Sequence, residues 1–124
     1  MNALVLLLAA AGAYGTALMF GTLGEILTEK SGNMNLGVEG IMYMGGIFGL
    51  IAPNLYESAV GEGNANAFVA ILLAIVAAFA IGAIAGAIFS FLTVTLRANQ
   101  NVTGLALTTF GVGFGNFLGG SLSR

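Results

Sequence analysis

The chain has 124 residues, of which 58% are hydrophobic and only 6% are charged, and its mean hydropathy is +1.01. A soluble domain carries roughly 25% charged residues, so this composition excludes a hydrated surface and predicts a membrane protein. Three basic and five acidic side chains are too few to build a nucleic-acid-binding surface. The absence of His and Cys excludes the usual zinc, haem and thiol chemistry, so neither a metal nor a cofactor is expected.

The first apolar segment is predicted to be a membrane-spanning helix over residues 3–23. Its "LLLAAAGA" stretch contains a site of the kind that signal peptidases cleave. However, no basic residue precedes the segment, and its apolar part is longer than that of a signal peptide. About 20 apolar residues cross the hydrocarbon core, so we expect this segment to span the membrane.

A polar stretch follows, in which Glu25 and Glu29 lie one helical turn apart and Lys30 comes directly after them. We expect these three residues to form a helix end that emerges into water, where the lysine complements the helix dipole. Gly32 is then a candidate C-terminal cap, and Asn33 tolerates a left-handed backbone. The first helix is therefore predicted to end in a turn here.

The second span is predicted over residues 38–52 and is short and rich in glycine, with Pro53 suited to its end. Two interpretations of the preceding residues stay open. In one, Asn35 caps the helix and Glu39 lies in its first turn, where the dipole favours a carboxylate. In the other, Asn35, Gly37 and Glu39 belong to a broken or re-entrant segment inside the protein, where a buried carboxylate needs a partner.

The third and fourth spans are predicted over residues 67–92 and 102–118, and each carries small residues at every fourth position. These stripes consist of Ala74, Ala78, Gly82, Gly86 and Ser90 in the third span and of Gly111, Gly115, Gly119 and Ser123 in the fourth. Small residues let helix backbones approach closely in lipid, so we interpret both stripes as packing faces. The glycine-rich stretches "YMGGIFG" and "FGVGFGNFLGG" are alternatively candidates for helix breaks.

A second polar cluster separates the third span from the fourth. It contains Arg97, Asn99, Gln100, Asn101 and Thr103. As a plain loop it would cap the fourth helix through Asn101. The alternative is a polar lining at the mouth of a permeation path.

The charges give a prediction of membrane orientation. Four crossings with Lys30 and Arg97 on the cytoplasmic side place Glu57 and Glu62 on the opposite side. This arrangement satisfies the tendency of basic residues to remain cytoplasmic, and it puts the N-terminus outside.

The two polar segments together resemble a known family. "GEILTEKSGNMNLGVEGIMYMGG", followed by "LRANQNVTGLALTTFGVGF", is similar to the permease subunits of bacterial ABC importers for nucleosides, simple sugars and branched-chain amino acids. Asn35 and Glu39 match the "NLGVEG" motif, and Gln100 and Asn101 match the second segment. These four residues are the substrate-path candidates.

The predicted spans make the chain an all-α, polytopic transmembrane domain of about four segments, in which a broken or re-entrant segment is the alternative. The resemblance implies a dimeric or pseudo-dimeric membrane domain in the bacterial cytoplasmic membrane. It also implies several partners: membrane lipid, a second permease subunit, a cytoplasmic ATP-binding subunit and an extracytoplasmic substrate-binding protein. Permeases of this family are longer, so residues 1–124 are interpreted as one transmembrane domain that is incomplete relative to the family.

The leading hypothesis is a permease component that moves nucleosides or simple sugars by alternating access. One alternative is a small self-associating membrane pore or scaffold that packs through its Gly and Ala stripes. Another is a proton-carrying subunit in which Glu39 titrates. An enzyme is not expected, because the chain offers no His, Cys or Asp as a base or metal ligand.

Overall fold

The computed structural model describes residues 2–122, which form four long helices and, within that range, no strand. The helices are α1 (Ala3–Lys30), α2 (Val38–Val60), α3 (Ala67–Ser90), which continues as a π-helical turn (Phe91–Thr95), and α4 (Gln100–Leu122). Each is long and apolar enough to cross a membrane. The prediction of an all-α fold with four membrane segments is therefore confirmed.

The end of α1 is a glycine-capped turn. The Gly32 N–H donates to the Glu29 carbonyl at 2.9 Å, the Asn33 N–H donates to the Thr28 carbonyl at 3.2 Å, and Gly32 has a φ of +88°. This pair of bonds satisfies the last carbonyls of the helix. With 28 residues, α1 is about 42 Å long, so its charged last turns extend past an apolar core of about 30 Å.

Helix α2 runs through Pro53 and ends at Val60, so the prediction that the helix ends at Pro53 is wrong. The predicted span, residues 38–52, would be only about 22 Å long, less than the ~30 Å hydrocarbon core. A chain that left the helix inside lipid would expose unpaired backbone groups. Pro53 removes one backbone hydrogen bond, whereas ending the helix there would remove several.

Helix α2 is the centre of the bundle and packs against α3 and α4, whereas α1 contacts α2 alone among the helices. Helices α2 and α4 run in the same direction, with Gly37 beside Gly104 and Gly40 beside Gly111. The "YMGGIFG" and "FGVGFGNFLGG" stretches are continuous helix and contain no break. No residue of α1 is buried, so most of its apolar surface lies outside this bundle.

The two small-residue stripes have different surroundings. A Cβ added to Gly115 would lie 2.5 Å from the Tyr43 ring, and one added to Gly119 would lie 3.3 Å from Ile47. With Gly111, these α4 residues all lie against α2. The Ser123 position of this stripe lies outside the described residues.

In α3, the stripe divides. Ala74 and Ala78 lie beside glycines of α2, and a Cβ on Gly82 would meet Ile41 at 4.0 Å. A Cβ on Gly86 would find no atom within 4 Å, and Gly86 borders a cavity. Only the first part of the α3 stripe therefore packs against α2.

Helix α4 is capped by Asn99, so the prediction that Asn101 caps it is wrong. The Asn99 side-chain oxygen accepts from the Asn101 N–H at 3.0 Å and from the Val102 N–H at 3.3 Å. Arg97 has a left-handed φ of 52°, which turns the chain so that the helix starts at Gln100. Asn101 is then already inside the first turn.

Replacing Asn99 with alanine is expected to lower the free energy of unfolding by about 1 kcal/mol, because two N–H groups of the first turn lose their acceptor. Denaturation in mild detergent with added SDS, followed by circular dichroism, measures the change. Asn101→Ala is the matched control, since its side chain forms no hydrogen bond within the described residues. Equal losses for the two variants would contradict the assignment of the cap.

Candidate functional site

The two polar segments meet at one end of the bundle. The Gln100 side chain of α4 donates through Nε2 to Asn33 Oδ1 at 2.9 Å, and its Oε1 accepts from the Met34 N–H at 2.8 Å. One side chain thus joins the α1–α2 linker to the start of α4. We call the linker, residues 31–37, together with Glu25, Gln100 and Thr108 the polar junction.

Asn35 is the buried centre of the polar junction, with 8% of its surface exposed. Its N–H donates to Glu25 Oε1 at 3.1 Å, and its side-chain oxygen accepts from the Gly37 N–H at 2.9 Å. Gly37, without a side-chain bond, occupies the cap position of α2, so the prediction that Asn35 is the cap is wrong by two residues. Asn35 instead closes an Asx turn that leads into the helix.

The linker lies directly on the backbone of α4. A Cβ on Gly104 would be 2.7 Å from the Leu36 nitrogen, and Thr108 Oγ1 donates to the Leu36 carbonyl at 2.7 Å. With the bonds above, the N–H groups of Met34, Asn35 and Gly37 all have acceptors. Non-helical backbone is tolerated next to a membrane where protein groups satisfy it in this way.

Three carboxylates border a groove of about 400 Å³ between α1 and α2. Glu25 is half-buried, and its Oε2 is enclosed without a hydrogen-bond partner among the described residues. Glu29 and Glu39 are exposed, and Glu39 lies in the first turn of α2, where the helix dipole favours it. Lys30 forms no ion pair within the described part of the chain.

The position of Glu25 differs from the expected solvated helix end, because the linker folds back over the last turns of α1. The exposed position of Glu39, by contrast, fits the interpretation of an ordinary first turn. An exposed carboxylate at a helix start does not favour the proton-carrying hypothesis, which needs an enclosed titrating group.

A second cavity, of about 280 Å³, lies between the end of α1, the linker and the end of α3. Its polar lining consists of Thr28, Ser31, Asn33, Asn35, Ser90 and Thr93. Thr28, Ser31 and Thr93 donate their hydroxyl protons to backbone carbonyls, and their oxygens can also accept. Ser31 Oγ already accepts from Asn33 Nδ2 at 3.5 Å, which leaves it one lone pair. An uncharged solute with several hydroxyl or amine groups suits this lining.

The structure brings two of the four path candidates, Asn35 and Gln100, into the polar junction. Glu39 borders the adjacent groove, and Asn101 is exposed on α4 away from these bonds. Sequence reasoning missed Glu25 and Thr108, which bind the linker backbone. Gly104 and Thr108 are four residues apart, so a helix places them on the same face. This spacing could have indicated that both residues contact the same neighbour.

The comparisons with known proteins agree on one family. The family model described as "Branched-chain amino acid transport system / permease component" matches residues 6–124. A nucleoside ABC transporter permease protein of Lactococcus lactis subsp. cremoris is 34% identical over 122 residues, which cover 95% of this chain and 35% of that protein. A guanosine ABC transporter permease protein of Bacillus subtilis is 29% identical over 100 residues, which cover 81% of this chain and 30% of that protein.

A Haloferax volcanii protein, provisionally a glucose ABC transporter permease, is 34% identical over 107 residues, covering 84% of this chain and 28% of that protein. The chain therefore spans about a third of the length of these relatives. No solved structure matches it. Because the family model covers nearly the whole chain, this multi-pass protein of the bacterial cytoplasmic membrane belongs to the permease family of ABC importers.

Proposed function

We propose that this chain forms part of the substrate path in the permease component of an ATP-driven importer for nucleosides or simple sugars. The path opens to the two sides of the membrane in turn. The names of the relatives support this substrate range, since they include a nucleoside, a guanosine and a provisional glucose permease. The chain supplies one portion of the complete membrane domain.

The observation that carries the proposal is the polar junction. Its non-helical backbone is held by side chains from α1 and α4 beside a hydroxyl-lined cavity. Non-helical backbone in a membrane protein is found where protein groups bury it or where it lines a water-filled cavity, and the polar junction meets both conditions.

The four path candidates have different proposed roles. Asn35 and Gln100 are positioning residues that hold the linker, because their hydrogen bonds are made to linker groups. Glu39 and Asn101 have exposed side chains and are proposed to face the path or its water. Gly111, Gly115 and Gly119 are proposed to keep α2 and α4 close enough for these positions to hold.

Transport by this path requires partners that supply energy and substrate. We propose an ATP-binding subunit at the cytoplasmic face, a substrate-binding protein outside, and a second permease subunit within the lipid bilayer. The scaffold alternative is weakened, because the α4 stripe already packs against α2 of the same chain. That stripe is then not available for self-association.

The test is ATP-dependent uptake of radiolabelled guanosine, uridine and glucose into proteoliposomes that hold the complete importer containing this chain. We expect uptake of at least one of these solutes that depends on both ATP and the binding protein. An ATPase-inactive complex is the control. Absence of uptake by an assembled, ATP-hydrolysing complex would overturn the proposed function.

A further inference from the structure

A hydrogen-bonded pair lies on the outer side of the contact between α2 and α4. The Tyr43 hydroxyl donates to Asn116 Oδ1 at 2.6 Å. The Tyr43 ring fits against Gly115, where an added Cβ would lie 2.5 Å from two ring carbons. Tyr43 nevertheless keeps 40% of its surface exposed, and Asn116 is exposed as well. The pair is thus fixed in position but open on one side.

Direct contact with lipid tails would be energetically unfavourable for this polar pair, so water or another polar group must cover it. Tyr43 and Asn116 each lie more than one turn inside a helix able to cross the bilayer. The Asn116 amide nitrogen has no partner within the described residues. An unpaired amide against lipid tails is strongly unfavourable, so this side of the α2–α4 contact does not face lipid.

Polar side chains also lie between the pair and the polar junction. Glu39 lies four residues before Tyr43 on the same side of α2, and Thr109 lies seven residues before Asn116 on the same side of α4. Both are exposed, and Glu39 borders the groove beside the junction. Exposed Met42 and Val112 separate these polar side chains, yet polar groups occur along both helices between the pair and the opening, as a water-accessible path requires.

We propose that Tyr43 and Asn116 form a contact site for the nucleobase of a nucleoside inside this path, an inference that rests on the proposed transport function. Tyr43, with 40% of its surface exposed, offers an aromatic ring on which a planar base can stack. The Asn116 amide offers Nδ2 as a donor, and its Oδ1, which already accepts from the Tyr43 hydroxyl, keeps a second lone pair for a donor on the edge of a base. A sugar ring lacks that planar edge.

The first experiment measures whether position 116 faces water. Asn116→Cys is introduced into the complete importer, and this chain contributes no native cysteine. A water-soluble methanethiosulfonate reagent is expected to modify the introduced thiol, and guanosine with its binding protein and ATP is expected to slow the reaction, whereas glucose is not. Glu62→Cys, in an exposed loop, controls for reagent activity. An unmodified Asn116→Cys importer beside a fully modified Glu62→Cys importer, or modification that guanosine does not slow, would overturn the proposal.

The second experiment measures transport. Asn116→Leu and Tyr43→Leu are each expected to lower guanosine uptake about tenfold per assembled importer, the loss typical of one hydrogen bond or stacking contact. Tyr43→Phe keeps the aromatic ring, so its guanosine uptake should fall less than that of Tyr43→Leu. Thr16→Val is the control, because the Thr16 hydroxyl bonds within its own helix.

The outcomes separate this inference from the function on which it rests. Full guanosine uptake per assembled importer by both leucine variants would overturn the contact site and leave the transport function intact. An importer that takes up glucose and not guanosine would do the same. If the wild-type importer moves no solute, the proposed function fails, and protection of the Asn116→Cys thiol by guanosine still decides the contact site.

Discussion

Replacing Gly111 with alanine is expected to destabilise the contact between α2 and α4 by about 3 kcal/mol, the upper range for overpacking a close contact. The added Cβ would lie 2.6 Å from the Gly40 carbonyl oxygen and 2.9 Å from its Cα. Both are backbone atoms, so no side-chain rotation relieves the overlap and the helices must separate. Gly40→Ala should act similarly, because its Cβ would lie 2.5 Å from the Thr108 Cα.

Gly113 gives the matched control on the same helix. An added Cβ there meets no atom within 4 Å, so Gly113→Ala should leave stability unchanged or raise it by up to about 1 kcal/mol through helix propensity. Denaturation by SDS in mild detergent, followed by circular dichroism, compares the variants. The double variant Gly40→Ala with Gly111→Ala should lose less stability than the two single variants lose together, because one separation of the helices relieves both overlaps. Similar effects at positions 111 and 113 would contradict this account.

Sequence periodicity predicted which residues share a helix face, but it could not predict what each face meets. The four-residue spacing selected Gly111 and Gly115, which lie against α2 in the folded chain. The same spacing selected Gly86, which borders a cavity. Spacing describes one helix at a time, whereas packing depends on where the neighbouring helix passes.

Helix ends were harder to predict, because membrane thickness and tertiary bonds override local preference. Pro53 is a helix breaker in water, yet α2 must continue past it to cross the hydrocarbon core. Asn99 and Asn101 are the same residue type, so residue preference alone cannot predict which of them caps α4. Helix α4 begins at Gln100, directly after the left-handed turn at Arg97, and this start makes Asn99 the cap.

The polar junction shows the same limit at the candidate site. The sequence left two interpretations open for Asn35 and Glu39 together, but the two residues have different surroundings. Asn35 is buried in the turn between α1 and α2, whereas Glu39 occupies an ordinary first helical turn. The difference arises because Glu25 and Gln100, distant in sequence, both bind the linker.

Replacing Gln100 with leucine is expected to lower the free energy of unfolding by about 2 kcal/mol, because the Met34 N–H and Asn33 Oδ1 both lose their partner. The linker should become mobile as a result, since Gln100 is its main side-chain link to the start of α4. Hydrogen–deuterium exchange of residues 31–37 should speed up by about tenfold or more, as expected for a local loss of that size. We also expect ATP-dependent uptake by the complete importer to fall.

A graded series separates these bonds from a general effect of changing position 100. Gln100→Glu keeps the acceptor for the Met34 N–H and loses the donor to Asn33, so its exchange rate should lie between those of the wild type and Gln100→Leu. Asn101→Ala alters the adjacent residue, whose side chain bonds to nothing in the described chain, and should leave linker exchange unchanged. Unchanged exchange in Gln100→Leu would mean that the close approach of Gly104 and the Thr108 bond hold the linker without the glutamine.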